Sequence, residues 1–366
     1  MSVVETHPAE DRAGALVDRL FEAALGTVDV LTVYIGDRLG IYKTLRDGGA
    51  LAPTEIAARC SIDERYAQEW LEQQAVTGIL DVDDPSAPEE LRRYSLSEAH
   101  ALVLTEPESL FSMAPLAKAF VACAVAMPKI LDAFRTGGGV SWSEFGADAI
   151  EAQGDFNRPW LLSSFGTEYL PMIPDVHERL QAEPPAQVAD FACGVGWAGI
   201  AIAEAYPSAV VTGFDLDDSS IEIARRNAAA RGLTDRLSFE VRDIAETSLE
   251  GGYDLVVVIE AIHDLAQPVE ALASIHRVLA PGGVALIADE KTADGFTAPG
   301  DEAERLFYGF SVLCCLPAGM SEQPSAATGT VMRTEKLRSY ATAAGFSDVE
   351  VLDIPHDLLR FYRLTP

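Results

Sequence analysis

Apolar side chains recur at helical spacing over residues 15–47, and between Val28 and Ile41 they surround the predicted helix. A helix that is apolar on every side needs burial on every side, within its own domain or against a partner chain. Thr54 is placed to cap a short helix ending near Cys60, and Asp63 to cap a longer one reaching about Thr77, where Gly78 stops it. The runs GILDV and RRYSL, separated by the turn-rich DDPSAP, predict a hairpin. Helix, helix and hairpin in that order is the layout of a winged helix. Residues 108–182 read as largely helical, with breaks at Gly137–Gly139, Pro159, Pro171 and Pro174, and Pro184 and Pro185 mark a boundary.

From residue 187 the pattern changes. QVADF, AVVTGFD, LSFEVRD, YDLVVVIE and VALIADE read as strands, with helices at about 197–206, 219–231 and 268–280 between most of them. Strands this apolar suit a parallel sheet covered on both faces. DVEVLDI and LLRFYRL, joined around PHD, predict a terminal antiparallel hairpin. The expected fold is therefore α/β: a doubly wound, seven-stranded, mostly parallel sheet with an antiparallel last strand, behind an N-terminal helical winged-helix-like domain. The expected division is 1–14 disordered, 15–105 winged-helix-like, 106–183 helical linker and pocket cover, and 184–366 the sheet domain, with a lid insertion at about 296–333.

Charge narrows the possible partners. The 366 residues carry a formal net charge of −30, from 27 basic and 57 acidic side chains. Such a surface repels a phosphate backbone and an anionic membrane. A winged helix invites a DNA-binding reading, but residues 1–105 hold 19 acids and 9 bases, and Arg65 is the only cation of the would-be recognition helix. Base readout needs Lys and Arg on phosphates to position it. The module is instead expected to be structural, serving a homodimer. The five cysteines form no C-x-x-C pair, so neither a zinc site nor a disulfide framework is expected. The polar N-terminus lacks the pattern of a signal peptide, and no uncharged apolar run of about 18 residues suggests a membrane span. A cytoplasmic setting is the expectation.

Gly194, Gly196 and Gly199 spell G-x-G-x-x-G after the first strand of the sheet domain, and Asp215 ends the second. That alone resembles a dinucleotide loop. However, Asp190, Asp215, Asp243, Glu260 and Glu290 all fall at or near the carboxyl ends of strands, where a doubly wound sheet binds its ligand. A pyrophosphate would be repelled by five carboxylates, whereas a cationic ligand would be favoured. S-adenosylmethionine (SAM) carries a sulfonium and an ammonium and no phosphate. In this reading Asp190 helps to hold the amino-acid end, and Gly194 and Gly196 let the backbone approach the adenosine. Asp215 accepts the ribose hydroxyls and Asp243 takes the adenine amine. Ala192, Leu216, Ile244 and Glu260 complete the expected cofactor set.

DFACGVG resembles the E/D-x-G-x-G-x-G loop of class I SAM-dependent methyltransferases, with Ala192 in place of the first glycine. FDLDDSSIEIARRNAA, GGYDLVVVIEAIHDL, VLAPGGVALIADE and the terminal hairpin extend the resemblance over about residues 160–366. With the small N-terminal domain the chain resembles the small-molecule O-methyltransferases of plants and actinomycetes. That resemblance implies that His263, in IEAIHDLAQP, is a general base and that Glu290 orients it, with Asp264 an alternative orienting group. It implies a small-molecule acceptor, aromatic or polyketide-like, and no metal. Trp160, Phe165, Tyr169, Phe307, Tyr308 and Met320 are candidate pocket residues or ordinary core, and His356 is a second candidate histidine. Carbon or nitrogen methylation, SAM use without methyl transfer, a ligand-sensing regulator with a degenerate catalytic domain, and an NAD-dependent oxidoreductase stay open as alternatives.

Overall fold

The computed structural model describes residues 8–245 and 249–366. They divide into two compact units, Met1–Val121 and Ala122–Pro366.

The first unit opens with α1 (Pro8–Arg38), so residues 8–14 are helical rather than disordered, and residues 1–7 lie outside the described residues. Gly40, at φ 67°, turns the chain into α2 (Ile41–Gly48). Pro53 rather than Thr54 begins α3 (Pro53–Cys60): Glu55 reaches back to the Ala52 N–H at 2.9 Å, so Thr54 is not the cap. Asp63 caps α4 (Glu64–Val76) by accepting from the Arg65 and Tyr66 N–H groups. The wing is a short antiparallel pair, β1 (Asp81–Val82) with β2 (Tyr94–Ser95), and α5 (Glu98–Leu104) follows. Ile41, Tyr42, Leu45, Ile56, Leu71 and Leu80 form the core of this unit. On α1, by contrast, Leu16, Val17, Leu20, Phe21 and Val28 are each more than half exposed.

The long helix α6 (Ala114–Thr136) runs across the division. Among the described residues it alone has the length and apolar content to cross a membrane; 44% of its most apolar window is buried in the protein, and it contains Pro128. In the second unit α7 (Ala147–Trp160) continues into a π-helical stretch, Leu161–Tyr169, and α8 (Pro174–Gln181) leads to the sheet.

The alternating segments then follow the sequence closely. They are β3 (Gln187–Phe191), α9 (Trp197–Ala205), β4 (Val210–Asp215), α10 (Asp218–Ala230), β5 (Leu237–Val241), β6 (Tyr253–Ile259), α11 (Pro268–Val278) and β7 (Leu279–Glu290). Next come α12 (Glu302–Phe310), a π-helical turn at Ser311–Cys315, α13 (Leu316–Gly319), α14 (Thr334–Ala343), β8 (Asp348–Leu352) and β9 (Leu359–Thr365). The seven strands lie in the order β5-β4-β3-β6-β7-β9-β8, and β9 alone runs against the direction of the other six. Successive strand residues point to opposite faces. Val188 accordingly packs in one core layer and Ala189 in the other. The chain winds outward from β3 through β4 to β5, then returns to β6 on the other side of β3. The crevice beyond β3 and β6 is therefore the switch point of the sheet, where open α/β folds bind ligands.

Candidate active site

The loop after β3 is shaped by backbone conformation. Gly194 and Gly196 have φ of 51° and 85°, and a Cβ on Gly196 would meet the Phe239 ring at 2.5 Å. Ala192, where the family pattern has glycine, also lies in the left-handed region at φ 53°. The loop keeps the glycine geometry with an alanine, which costs roughly 1–2 kcal/mol. Two carboxylates brace it. Asp190 is 1% exposed, and its Oδ2 accepts from the Gly199 N–H at 2.8 Å, tying β3 to the start of α9. Asp215, at the end of β4, accepts from the Gly194 N–H at 2.8 Å through Oδ2 and from the Asp217 N–H at 2.9 Å through Oδ1. Burial pushes the Asp190 carboxyl up to about 7 and raises that of Asp215 as well. A side chain as enclosed as Asp190 shapes the loop from beneath. Asp215 is half-buried and keeps an open side. Farther along the edge, Leu216 is 61% exposed, Ile244 is buried, and exposed Asp243 accepts from the Ala245 N–H at 2.8 Å.

Across the switch point, a 3-10 turn at Ile262–Asp264 carries His263 off the end of β6. The ring is 2% exposed. Its Nδ1 lies 2.8 Å from Asp289 Oδ1 and 3.1 Å from Glu290 Oε2, and its Nε2 lies 3.2 Å from Asp264 Oδ1. Both orienting groups considered from the sequence thus reach His263, from opposite sides. The hydrogen-bond partner of Nδ1, however, is Asp289, which sequence reasoning passed over. Burial alone would push the imidazole down. The charges of Asp264, Asp289 and Glu290 outweigh it and hold His263 well above its ordinary value. Burial raises Glu290 strongly; Asp289, although burial opposes it, is held below its usual range by His263. Carboxylates facing both ring nitrogens thus favour the charged form of His263.

The insertion between β7 and β8 closes over this turn. Its π-helical stretch brings the Cys315 thiol to within 4.8 Å of the reactive atoms of His263 and Asp264. Buried Glu304 on α12 anchors the insertion by accepting from the Ala293 N–H at 2.8 Å and pairing with Arg333 at 3.3 Å. His263 with Asp289 and Glu290, or with Asp264 and Cys315, falls within the span of a metal site. The 2.8 Å contact between Nδ1 and Asp289 is also a hydrogen-bond distance, and a proton satisfies it.

Glu260 sits one residue beyond β6 with φ 50°, and its Oε2 accepts from Gln153 Nε2 at 3.1 Å and from Asn157 Nδ2. Neither amide stood out in the sequence. Trp160 and Phe165 are core residues, packed with Tyr169 and Phe361. His356 stacks edge-on against Trp160, and its Nδ1 accepts from the Leu359 N–H at 2.9 Å. It serves the fold at that corner.

The donor set fits SAM. Acids line the edge of the sheet at the switch point, the glycine loop presents its backbone, and buried carboxylates favour a cation over a pyrophosphate. Comparison with known proteins agrees. A profile described as "Methyltransferase domain" matches residues 183–331, and one described as "Rv2258c-like winged HTH domain" matches residues 27–106. An O-methyltransferase of Pyrenophora dematioidea is 30% identical over 188 residues, covering 50% of this chain and 62% of that protein. A demethylmenaquinone methyltransferase of Thermus thermophilus is 36% identical over 99 residues, 27% of this chain and 44% of that one. The chain thus spans less than two thirds of the length of these curated relatives. The fold is shared over far more of the chain. Mitomycin 7-O-methyltransferase MmcR aligns over 98% of both chains at 20% identity and a TM-score of 0.67. Human N-acetylserotonin methyltransferase, solved in complex with SAM, aligns over 100% of this chain and 99% of its own at 17% identity and a TM-score of 0.70. The chain thus matches a winged helix-turn-helix model over residues 27–106 and a methyltransferase-domain model over residues 183–331, and it shares its fold with these solved methyltransferases.

Proposed function

We propose that this protein transfers a methyl group from SAM to a hydroxyl of a small metabolite, aromatic or polyketide-like, with His263 as general base. The observation that carries this reading is the position of His263 at the switch point, its Nδ1 on Asp289, one strand over from the glycine loop. SAM, when bound, supplies an electrophilic methyl group on a sulfonium. Gly194, Gly196 and Asp215 hold its adenosine end, with Leu216, Asp243 and Ile244 around the adenine, while Asp190 and Ala192 fix the loop. Holding the nucleophile in line accounts for much of the rate. A hydroxyl is a weak nucleophile until its proton leaves. That proton passes to Nε2 of His263 as the oxygen attacks, and Asp289 with Glu290 stabilises the imidazolium that forms.

Replacing His263 by Ala or Gln should lower turnover by about 10²–10⁴-fold. Binding of S-adenosylhomocysteine (SAH), followed by calorimetry, should stay within a few-fold. Unchanged turnover would remove the base assignment. Carbon methylation is a second reading, favoured by a Geotalea daltonii relative, 25% identical over 142 residues, whose name is that of a ubiquinone/menaquinone biosynthesis C-methyltransferase. Product analysis with methyl-labelled SAM separates the two.

We further infer that the N-terminal unit serves a homodimer rather than DNA: the one cation of α4, Arg65, is taken by Glu69, and α1 presents an apolar stripe. The five free cysteines suit a reducing, cytoplasmic setting.

A further inference from the structure

Glu260 holds a backbone conformation that its side chain does not favour. A non-glycine residue at φ 50° costs about 1–3 kcal/mol, and such strain persists where surrounding structure enforces it. Here the enforcement is visible. The Glu260 N–H still donates to the Ala288 carbonyl at 2.7 Å, so the strand ladder fixes the backbone. At the other end, Gln153 and Asn157 on α7 grip the carboxylate. Asn157 is itself buried, 7% exposed, and its Oδ1 accepts from Trp160 Nε1 at 2.7 Å, which settles which way its amide points. Between the two amides, Gly154 sits so close to Val195 of the glycine loop that a Cβ there would collide with it. The helix that grips Glu260 is therefore packed directly on the loop that would bind the cofactor.

We propose that Asn157 and Gln153 are positioning residues that hold Glu260 as the anionic receptor for the α-ammonium group of SAM. This rests on the SAM reading above and assigns a task that it left open. Both amides address the same oxygen, Oε2, and a carboxylate has about four lone-pair sites, so Oε1 is left for a further donor. Burial, with Asp289 and Asp264 close by, raises the Glu260 carboxyl against the opposing effect of Asn157 and His263, so a donor that keeps it ionised should be a cation. Of the two cations on SAM, the sulfonium loses its charge during transfer. A carboxylate serving it would stabilise the ground state more than the transition state and slow the reaction. The ammonium keeps its charge throughout, so its receptor can supply uniform binding without raising the barrier.

The test is calorimetry on the whole chain with three ligands: SAM, SAH and 5′-methylthioadenosine, which lacks the amino-acid end. Glu260→Gln should weaken SAM and SAH alike by about 10- to 100-fold, the worth of a charge-assisted hydrogen bond. It should leave methylthioadenosine within about two-fold. Gln153→Ala, at an exposed position, and Asn157→Ala should follow in the same direction, with KM for SAM rising and kcat at saturating SAM nearly unchanged. Glu260→Gly relieves the backbone, so it should melt no lower than wild type and still lose SAH. Three results would overturn the proposal: methylthioadenosine weakening in step with SAH, SAH unaffected, or SAM weakened while SAH is not. A wild-type protein that binds SAH but methylates nothing would count against the proposed reaction and leave this assignment standing. One that binds none of the three ligands would remove both.

Discussion

His263 is nearly sealed from solvent and faces carboxylates on both ring nitrogens, and this sets how the site responds to pH. Asp264, Asp289 and Glu290, against the effect of burial, hold the imidazole well above its ordinary value, with Glu260 and Cys315 also nearby. The resting ring is then charged at neutral pH, and only its neutral form can accept a proton. We expect kcat/KM to climb with pH through a limb lying above the ordinary histidine value of about 6.5. Asp264→Asn removes one of the charges that favour the imidazolium, so the limb should move to lower pH. A limb that stays in place or moves up would separate Asp264 from the base. The stability contributed by the paired imidazolium runs the other way: it is fully present below the unfolded pKa and is lost as pH rises through the folded one. His263 itself was legible in the sequence because it directly follows a strand end. Asp289 was not. Strand periodicity puts it on the opposite face from Glu290, yet both acids reach the same ring nitrogen.

At the scale of elements, strand ends are legible to within about two residues where an apolar run is bounded by turn residues, whereas β7 begins at Leu279, five residues before the expected Val284. Gln187–Phe191 matches its expected bounds, and the helices at 197, 218 and 268 begin within one residue of theirs. The two π-helical stretches were not legible. Leu161–Tyr169 and Ser311–Cys315 keep a helical apolar pattern, and nothing in composition separates a π turn from an α turn. Thr54 was misplaced as a cap because Pro53 already supplies the first turn and Glu55 reaches back to the Ala52 N–H. The helix α1 was read as apolar all round from Val28. Its most exposed apolar residues, Val17, Phe21 and Leu20, lie nearer the N-terminus. These side chains gain nothing from the chain's own core, and a second copy can cover them. Leu20→Glu with Phe21→Glu should convert a dimer to a monomer in analytical ultracentrifugation while leaving helix content unchanged. A wild-type protein that sediments as a monomer at micromolar concentration would contradict the homodimer.

For the whole molecule, charge and topology were the informative quantities. A formal charge of −30 argues against nucleic acid despite the winged helix-turn-helix domain, and the strand order places the glycine loop and His263 on either side of one crevice. The acceptor was not legible. The segments that reach Glu260 and His263, α7 and the insertion after β7, are distant in sequence, and no local pattern encodes their packing. The central claim is that acids gathered at the switch point favour SAM and SAH, which carry an ammonium group and no phosphate, over a pyrophosphate. Titrating the purified chain with SAH and, separately, with NAD in a calorimeter tests it most directly. Saturable one-to-one binding of SAH with no heat from NAD is the expected result. Binding of NAD with none of SAH would contradict it.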